Sequence, residues 1–169
     1  LKLQMSGAVT GRYCAVSLEI EADTDEDQIL LGSTAGQVRG SNAATQYFFL
    51  IGSRDSFGSS EDSTELAMPT GGTFSKLYMA PDQSIGAGTY TTSFRKNGST
   101  DTAIEVAQVT TTPLAVESDT TGSVSVARGD KVNFINIPTG SPNQVRFGYG
   151  LVFTPTTGGQ AIWMTNTDP

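Results

Sequence analysis

Val145-Arg146-Phe147-Gly148-Tyr149-Gly150-Leu151-Val152-Phe153 is the stretch on which the reading of this chain turns. Val145, Phe147, Tyr149, Leu151 and Phe153 fall on one side of a period of two, with Arg146, Gly148, Gly150 and Val152 on the other. Such alternation is a half-buried β-strand, because successive side chains of an extended backbone point to opposite faces. Working back along the chain, Val132, Phe134 and Ile137 follow the turn Arg128-Gly129-Asp130, and Val124 and Val126 precede it. Leu114 and Val116 lead to a turn expected at 119–122. Tyr90, Thr92 and Phe94 alternate with Thr91, Ser93 and Arg95 up to Asn97-Gly98, a dipeptide suited to the positive φ angles of a tight hairpin, and Ile104 and Val106 carry the return strand. Another strand, with Thr73, Phe74, Leu77, Tyr78 and Met79, lies between the turn residues Pro69, Gly71 and Gly72 and the stop at Pro81. The continuous apolar block Tyr47, Phe48, Phe49, Leu50, Ile51 is expected to be a strand buried on both faces or lying at an interface. About eight to ten short strands and no convincing 3.6-residue period predict an all-β sandwich or barrel.

The first 44 residues are less regular. Cys14, Val16, Leu18 and Ile20 interleave with Ala15, Ser17, Glu19 and Glu21 as one further strand, with Cys14 on its apolar face. An acidic run (Asp23, Asp25, Glu26, Asp27) follows, and 32–42 reads as a Gly/Ser/Asn-rich loop. We therefore divide the chain into an attachment or wrapping arm, 1–44, and a β-domain, 45–169. The chain starts at Leu1 rather than Met, which leaves room for residues upstream.

Composition removes whole classes of function. With no histidine among 169 residues, Ser-His-Asp and Cys-His nucleophilic sites, imidazole zinc sites and a histidine pH switch are all excluded. One cysteine cannot close an intrachain disulfide. A net charge of −7 opposes binding to nucleic acid or anionic lipid, and no apolar run approaches the length of a membrane helix. Neither nucleic acid nor membrane is expected as a partner.

The motifs reduce to turns and solvated charge. Asp23, Asp25 and Asp27 have the spacing of calcium-loop ligands, but Gln28 stands where that loop needs glycine and Thr34 where it needs glutamate. Arg128-Gly129-Asp130 sits where a β-turn is wanted, and Gly86-Ala87-Gly88 lacks both the third glycine and the following helix of a dinucleotide site. Paired-carboxylate catalysis needs no histidine, and its candidates are Glu61, Asp62, Glu65, Asp82, Glu105 and Glu117. These lie mostly in loops or at strand ends, where solvated charge is the ordinary role. We expect no enzyme, no metal and no cofactor. Tyr47, Tyr78, Tyr90, Tyr149 and Trp163 are of the type that stacks on sugars, although aromatic residues in strands more often fill cores.

Residues 45–155 resemble a jelly-roll domain of tailed-bacteriophage structural proteins, similar to the trimeric tumour-necrosis-factor and C1q domains. The resemblance rests on Gln46-Tyr47-Phe48, on the run Met68-Pro69-Thr70-Gly71-Gly72-Thr73-Phe74-Ser75-Lys76-Leu77-Tyr78, and on Ala80-Pro81 with Gly86-Ala87-Gly88 and Tyr90. Phe94-Arg95-Lys96-Asn97-Gly98, Ser123-Val124-Ser125-Val126-Ala127 with Gly129-Asp130, and Tyr149-Gly150-Leu151-Val152-Phe153 complete it. The charges at 61–65 and the N-terminal 44 residues depart from the pattern. The resemblance narrows the fold to an antiparallel jelly-roll β-sandwich and implies a non-enzymatic virion surface protein, made in the host cytoplasm. Its implied role is capsid decoration or cement, bound to the major capsid protein or another virion protein as a homotrimer. The alternative it implies is the head of a tail fibre or spike recognising a host glycan, through loops such as 53–63 and 141–144. Tyr47, Phe48, Phe49, Ile51, Ile162, Trp163 and Met164 are the interface candidates.

Overall fold

The computed structural model describes residues 27–34, 39–53 and 57–158. The expected strand around Cys14, most of the acidic run, and Ile162, Trp163 and Met164 lie outside these residues.

Among the described residues the chain is all-β, with ten strands, a single 3-10 turn at Glu61–Ser63 and no α-helix. The strands are β1 (Gln28–Ser33), β2 (Gln46–Phe48), β3 (Gly52–Ser53), β4 (Leu66–Ala67), β5 (Gly72–Pro81), β6 (Thr89–Lys96), β7 (Ser99–Gln108), β8 (Glu117–Val126), β9 (Lys131–Thr139) and β10 (Phe147–Pro155). They form two sheets, ordered β3-β1-β10-β5-β8 and β2-β9-β6-β7, with β4 also pairing β9. All pairings are antiparallel except β1 with β3. Every connection except the β6–β7 hairpin crosses from one sheet to the other, so the sheets are woven into one sandwich.

The core follows from the period of two. On β10, Phe147, Tyr149, Leu151 and Phe153 are buried while Gly148 is exposed and Gly150 and Val152 are partly so. Phe153, Phe74, Phe94, Phe134 and Phe48 make a continuous aromatic column across both sheets, with successive ring centroids 4.8, 5.1, 6.1 and 5.1 Å apart. Tyr149 joins it at 5.3 Å from Phe48 and donates its hydroxyl to the Phe49 carbonyl at 2.6 Å. Burial raises the pKa of this phenol, which keeps it a hydrogen-bond donor. The Tyr149 ring lies where a side chain on residue 32 would stand: a Cβ on Gly32 would come within 2.5 Å of it.

The hairpin turn is as expected, with Asn97 and Gly98 at φ 53° and 76°. Arg128-Gly129-Asp130 is a turn as well: the Asp130 carboxylate accepts the Ala127 N–H and the Asn97 side-chain amide, both at 2.8 Å.

Three expectations are corrected. No chain reversal occurs at 119–122; β8 continues through it, with a bulge where its register against β5 slips between Asp119 and Ser123. Leu114 and Val116 lie before β8 rather than in a strand, and both are exposed. The block 47–51 is not one two-sided strand, since β2 ends at Phe48, with Phe48 and Leu50 buried and the residues between and beside them only partly so.

Asp119 explains why β8 survives its turn-like sequence. Its carboxylate accepts backbone N–H groups of Thr121 at 3.0 Å, Gly122 at 2.8 Å and Glu105 at 3.2 Å, the last across on β7. A Cβ on Gly122 would stand 1.7 Å from the Ala103 carbonyl oxygen, so the two strands meet closely at this edge of the sandwich. Partial desolvation raises the Asp119 pKa, but the three backbone donors and the Thr121 hydroxyl outweigh it and hold the carboxyl below its ordinary 3.8. A carboxyl depressed by folding contributes stability above its unfolded pKa and loses it as pH falls through the lower folded value. We therefore expect the acid limb of stability, followed by urea unfolding from neutral pH down to about pH 2, to be shallower in Asp119→Asn than in the parent. An unchanged slope would remove Asp119 as its source.

Candidate interaction surface

The outward positions of the first sheet bring together residues that are far apart in the chain. Its rows run Leu31–Gly150–Tyr78–Ser118, Ile29–Val152–Ser75–Ser123 and Ser33–Gly148–Ala80. Leu31 is 51% exposed and Tyr78 42%, large values for apolar side chains in central strands. Val116 and Leu114, 60% and 70% exposed, flank the end of β5, where the Leu114 N–H donates to the Pro81 carbonyl at 2.8 Å. Leu114 is held there at φ 62°, an unfavourable angle for a branched side chain.

Charge is nearly absent from this face. Among the described residues the three rows carry no carboxylate; Asp27 lies at one end of the face, accepting a hydrogen bond from the Thr154 hydroxyl, and Asp82, paired with Arg146, lies at the other. Lys76 occupies a bulge in β5 at φ 55°, where the register slips against both β8 and β10. A weakly charged face bearing exposed leucine, isoleucine, valine and tyrosine, on a chain of net charge −7, has the composition of a protein contact.

The second sheet shows the contrast. Its outer face is held by Arg95, whose guanidinium forms a bidentate pair with Glu61 (Nε–Oε1 2.5 Å, NH2–Oε2 2.8 Å), bonds Thr100 Oγ1 at 2.7 Å and the Gly98 carbonyl, and lies 5.6 Å from the Tyr47 ring centroid. Glu65 pairs with Lys131 at 2.7 Å, so the charges at 61–65 fasten the 3-10 turn and β4 to this sheet.

Of the interface candidates, Phe48 packs inside the sandwich at 4% exposure, Tyr47 sits beside Arg95, and Phe49 and Ile51 are partly buried. Tyr90 and Tyr149 are core residues; burial pushes the Tyr90 phenol up to about 12. Among the carboxylate candidates, Glu61, Glu65 and Asp82 are ion-paired, and Glu105 accepts the Ser93 hydroxyl at 2.7 Å. Among the described residues no three His, Cys, Asp or Glu side chains gather as a metal site. Ile29 and Leu31 stand between an acidic run and a glycine-rich loop, and Ile29-Leu30-Leu31 is a continuous apolar triplet with no local sign of which side faces out; their outward position follows from the pairing of β1 with β10.

Fold and surface together define a class: a two-sheet antiparallel β-sandwich with one nearly uncharged, apolar-bearing outer face. No known protein-family model matches the chain, and no curated protein matches it.

Proposed function

We propose that this chain is a non-enzymatic structural protein of a tailed-phage virion, a capsid decoration or cement protein that assembles as a homotrimer through the outer face of its first sheet and binds the outer shell. The exposed row Leu31–Gly150–Tyr78, with Ile29 and Val152 beside it, carries the reading, because it offers apolar area that association would remove from water. The strand order β1-β10-β5-β8 facing β2-β9-β6-β7 supports the jelly-roll topology that the family resemblance implies.

Light scattering on the eluting protein tests the assembly. The parent is expected at three times the chain mass. Leu31→Glu and Tyr78→Glu, each placing like charges in the contact, are expected as folded monomers with unchanged far-UV circular dichroism. A monomeric parent, or trimers that persist in both variants, overturns this face as the interface. Gel densitometry of purified particles tests the role: amounts near those of the major capsid protein support decoration, a few copies favour the fibre head, and absence removes both.

A further inference from the structure

Asn97-Gly98 is the one place in the chain where glycine follows asparagine. That pair is chemically unstable in an open peptide. Glycine carries no side chain to shield its nitrogen from the neighbouring amide carbon, and the attack closes a favourable five-membered ring. Burial does not protect it here. Both residues are exposed at the tip of the β6–β7 hairpin, and a Cβ on Gly98 would meet nothing within 4 Å, so water and hydroxide reach the site.

What restrains Asn97 is a set of hydrogen bonds to the β8–β9 turn. Its side-chain Oδ1 accepts the Lys131 N–H at 2.9 Å, its Nδ2 donates to Asp130 Oδ1 at 2.8 Å, and its own N–H donates to the Lys131 carbonyl at 2.8 Å. The Gly98 carbonyl is fastened as well, by the Arg95 guanidinium. Asp130 is in turn fixed by the Ala127 N–H on Oδ2 at 2.8 Å. That bond and the Asn97 amide hold the Asp130 carboxyl below its ordinary range, so it stands as an anion opposite Nδ2. The latch needs an amide at 97, since an amide presents an acceptor to Lys131 and a donor to Asp130 at once. A carboxylate there would face a second carboxylate.

We propose that Asn97 is a self-modification site gated by the fold: the amide survives while the β8–β9 turn is closed on it, converts when the turn opens, and once converted prevents the turn from closing again. In the reaction the Gly98 nitrogen loses its proton to hydroxide and bonds to Asn97 Cγ, the Cγ–Nδ2 bond breaks, and Nδ2 leaves as ammonia. Water then opens the cyclic imide at either carbonyl, to aspartate or to isoaspartate. One water is consumed and one ammonia released, with no oxidant or reductant. Ring closure turns the side chain onto its own following nitrogen and expels Nδ2, so the bonds to Lys131 and Asp130 must be given up first. The rate is therefore set by the fraction of time the corner is open. Isoaspartate also adds a carbon to the backbone, which the two-residue turn cannot absorb.

Peptide mapping by mass spectrometry of the full chain, aged in alkaline buffer with and without urea, tests this. Conversion at Asn97 is expected in urea, and to be slower by about tenfold or more in the folded chain. Asp130→Ala removes the acceptor for Nδ2 and the anchor of the turn. It is expected to speed conversion in buffer by about fivefold, with unchanged far-UV circular dichroism and an unchanged rate in urea. Asn97→Asp, one of the two products, is expected to speed amide exchange at Lys131 by about tenfold. Equal rates in folded and unfolded chains, or no conversion in urea, overturn the site. A parental rate in folded Asp130→Ala overturns the latch as its gate, and parental exchange at Lys131 in Asn97→Asp overturns the loss of closure. Where Asp130→Ala does not fold, the parent with and without urea and the exchange in Asn97→Asp decide the proposal.

Discussion

Phe134→Ala is expected to lower the unfolding free energy by about 4 kcal/mol, among the larger effects a single core truncation produces. Phe134 lies on β9, in the middle of the second sheet, and is fully buried. Its ring meets Phe48 at 5.1 Å, Tyr149 at 5.7 Å and Phe94 at 6.1 Å, so it joins three other strands and both sheets. Truncation removes the ring's transfer free energy and leaves a cavity among rings that cannot all close over it, because Tyr149 is tethered through its hydroxyl to the Phe49 carbonyl. Chemical denaturation gives the value directly. Ile137→Ala, on the same strand but 38% exposed, serves as the control and is expected to cost well under half as much. Equal losses in the two variants would show that strand propensity, not the column, sets the energy.

Arg95→Ala is expected to cost about 3 kcal/mol, although the residue lies on an outer face. Its side chain is 11% exposed and its Glu61 partner 19%, which places the pair closer to the buried than to the surface case. Removing the guanidinium leaves the part-buried Glu61 carboxylate without its partner, gives up the bonds to the exposed Thr100 hydroxyl and Gly98 carbonyl, and frees the Tyr47 ring. Asn133 reinforces the same corner by donating Nδ2 to Thr64 Oγ1 at 2.9 Å, and the Thr64 hydroxyl in turn donates to the Glu61 carbonyl. Release of Glu61 thus loosens 61–64 from the sheet. Arg95→Lys is expected to recover less than half of the loss, since a lysine cannot form the two parallel bonds of the fork. Amide exchange at Thr64, which donates its N–H to Glu61, reports the loosening separately from global unfolding. If exchange there matches the parent while stability falls, the effect lies elsewhere than in this segment.

Legibility differed among the elements for physical reasons. The β6–β7 hairpin was readable because Asn97-Gly98 specifies its own backbone angles, and β10 because four of its alternate side chains are apolar and large. At 119–122 Asp, Thr and Gly are turn residues by local chemistry, and the chain bulges from its β5 ladder there without reversing. The strand is kept by Asp119 reaching the Glu105 N–H on β7, a contact across 14 residues. The block 47–51 read as two-sided because all five residues are apolar, yet only Phe48 and Leu50 are buried.

What the sequence determined by itself is whatever depends on neighbours within a few residues: the period of two, the tight turns, the exclusion of histidine chemistry, and the inward set on each long strand. The tertiary structure alone decided which outward faces are covered and which charges meet. A period of two separates the two sides of a strand without saying what lies over either, so Leu31 and Tyr78 became a shared exposed row only when β10 came between β1 and β5. Arg95 with Glu61, and Arg39 with Asp82 and Arg146, are pairings over 34 to 64 residues, created by the crossing of strands between sheets and invisible to any local pattern.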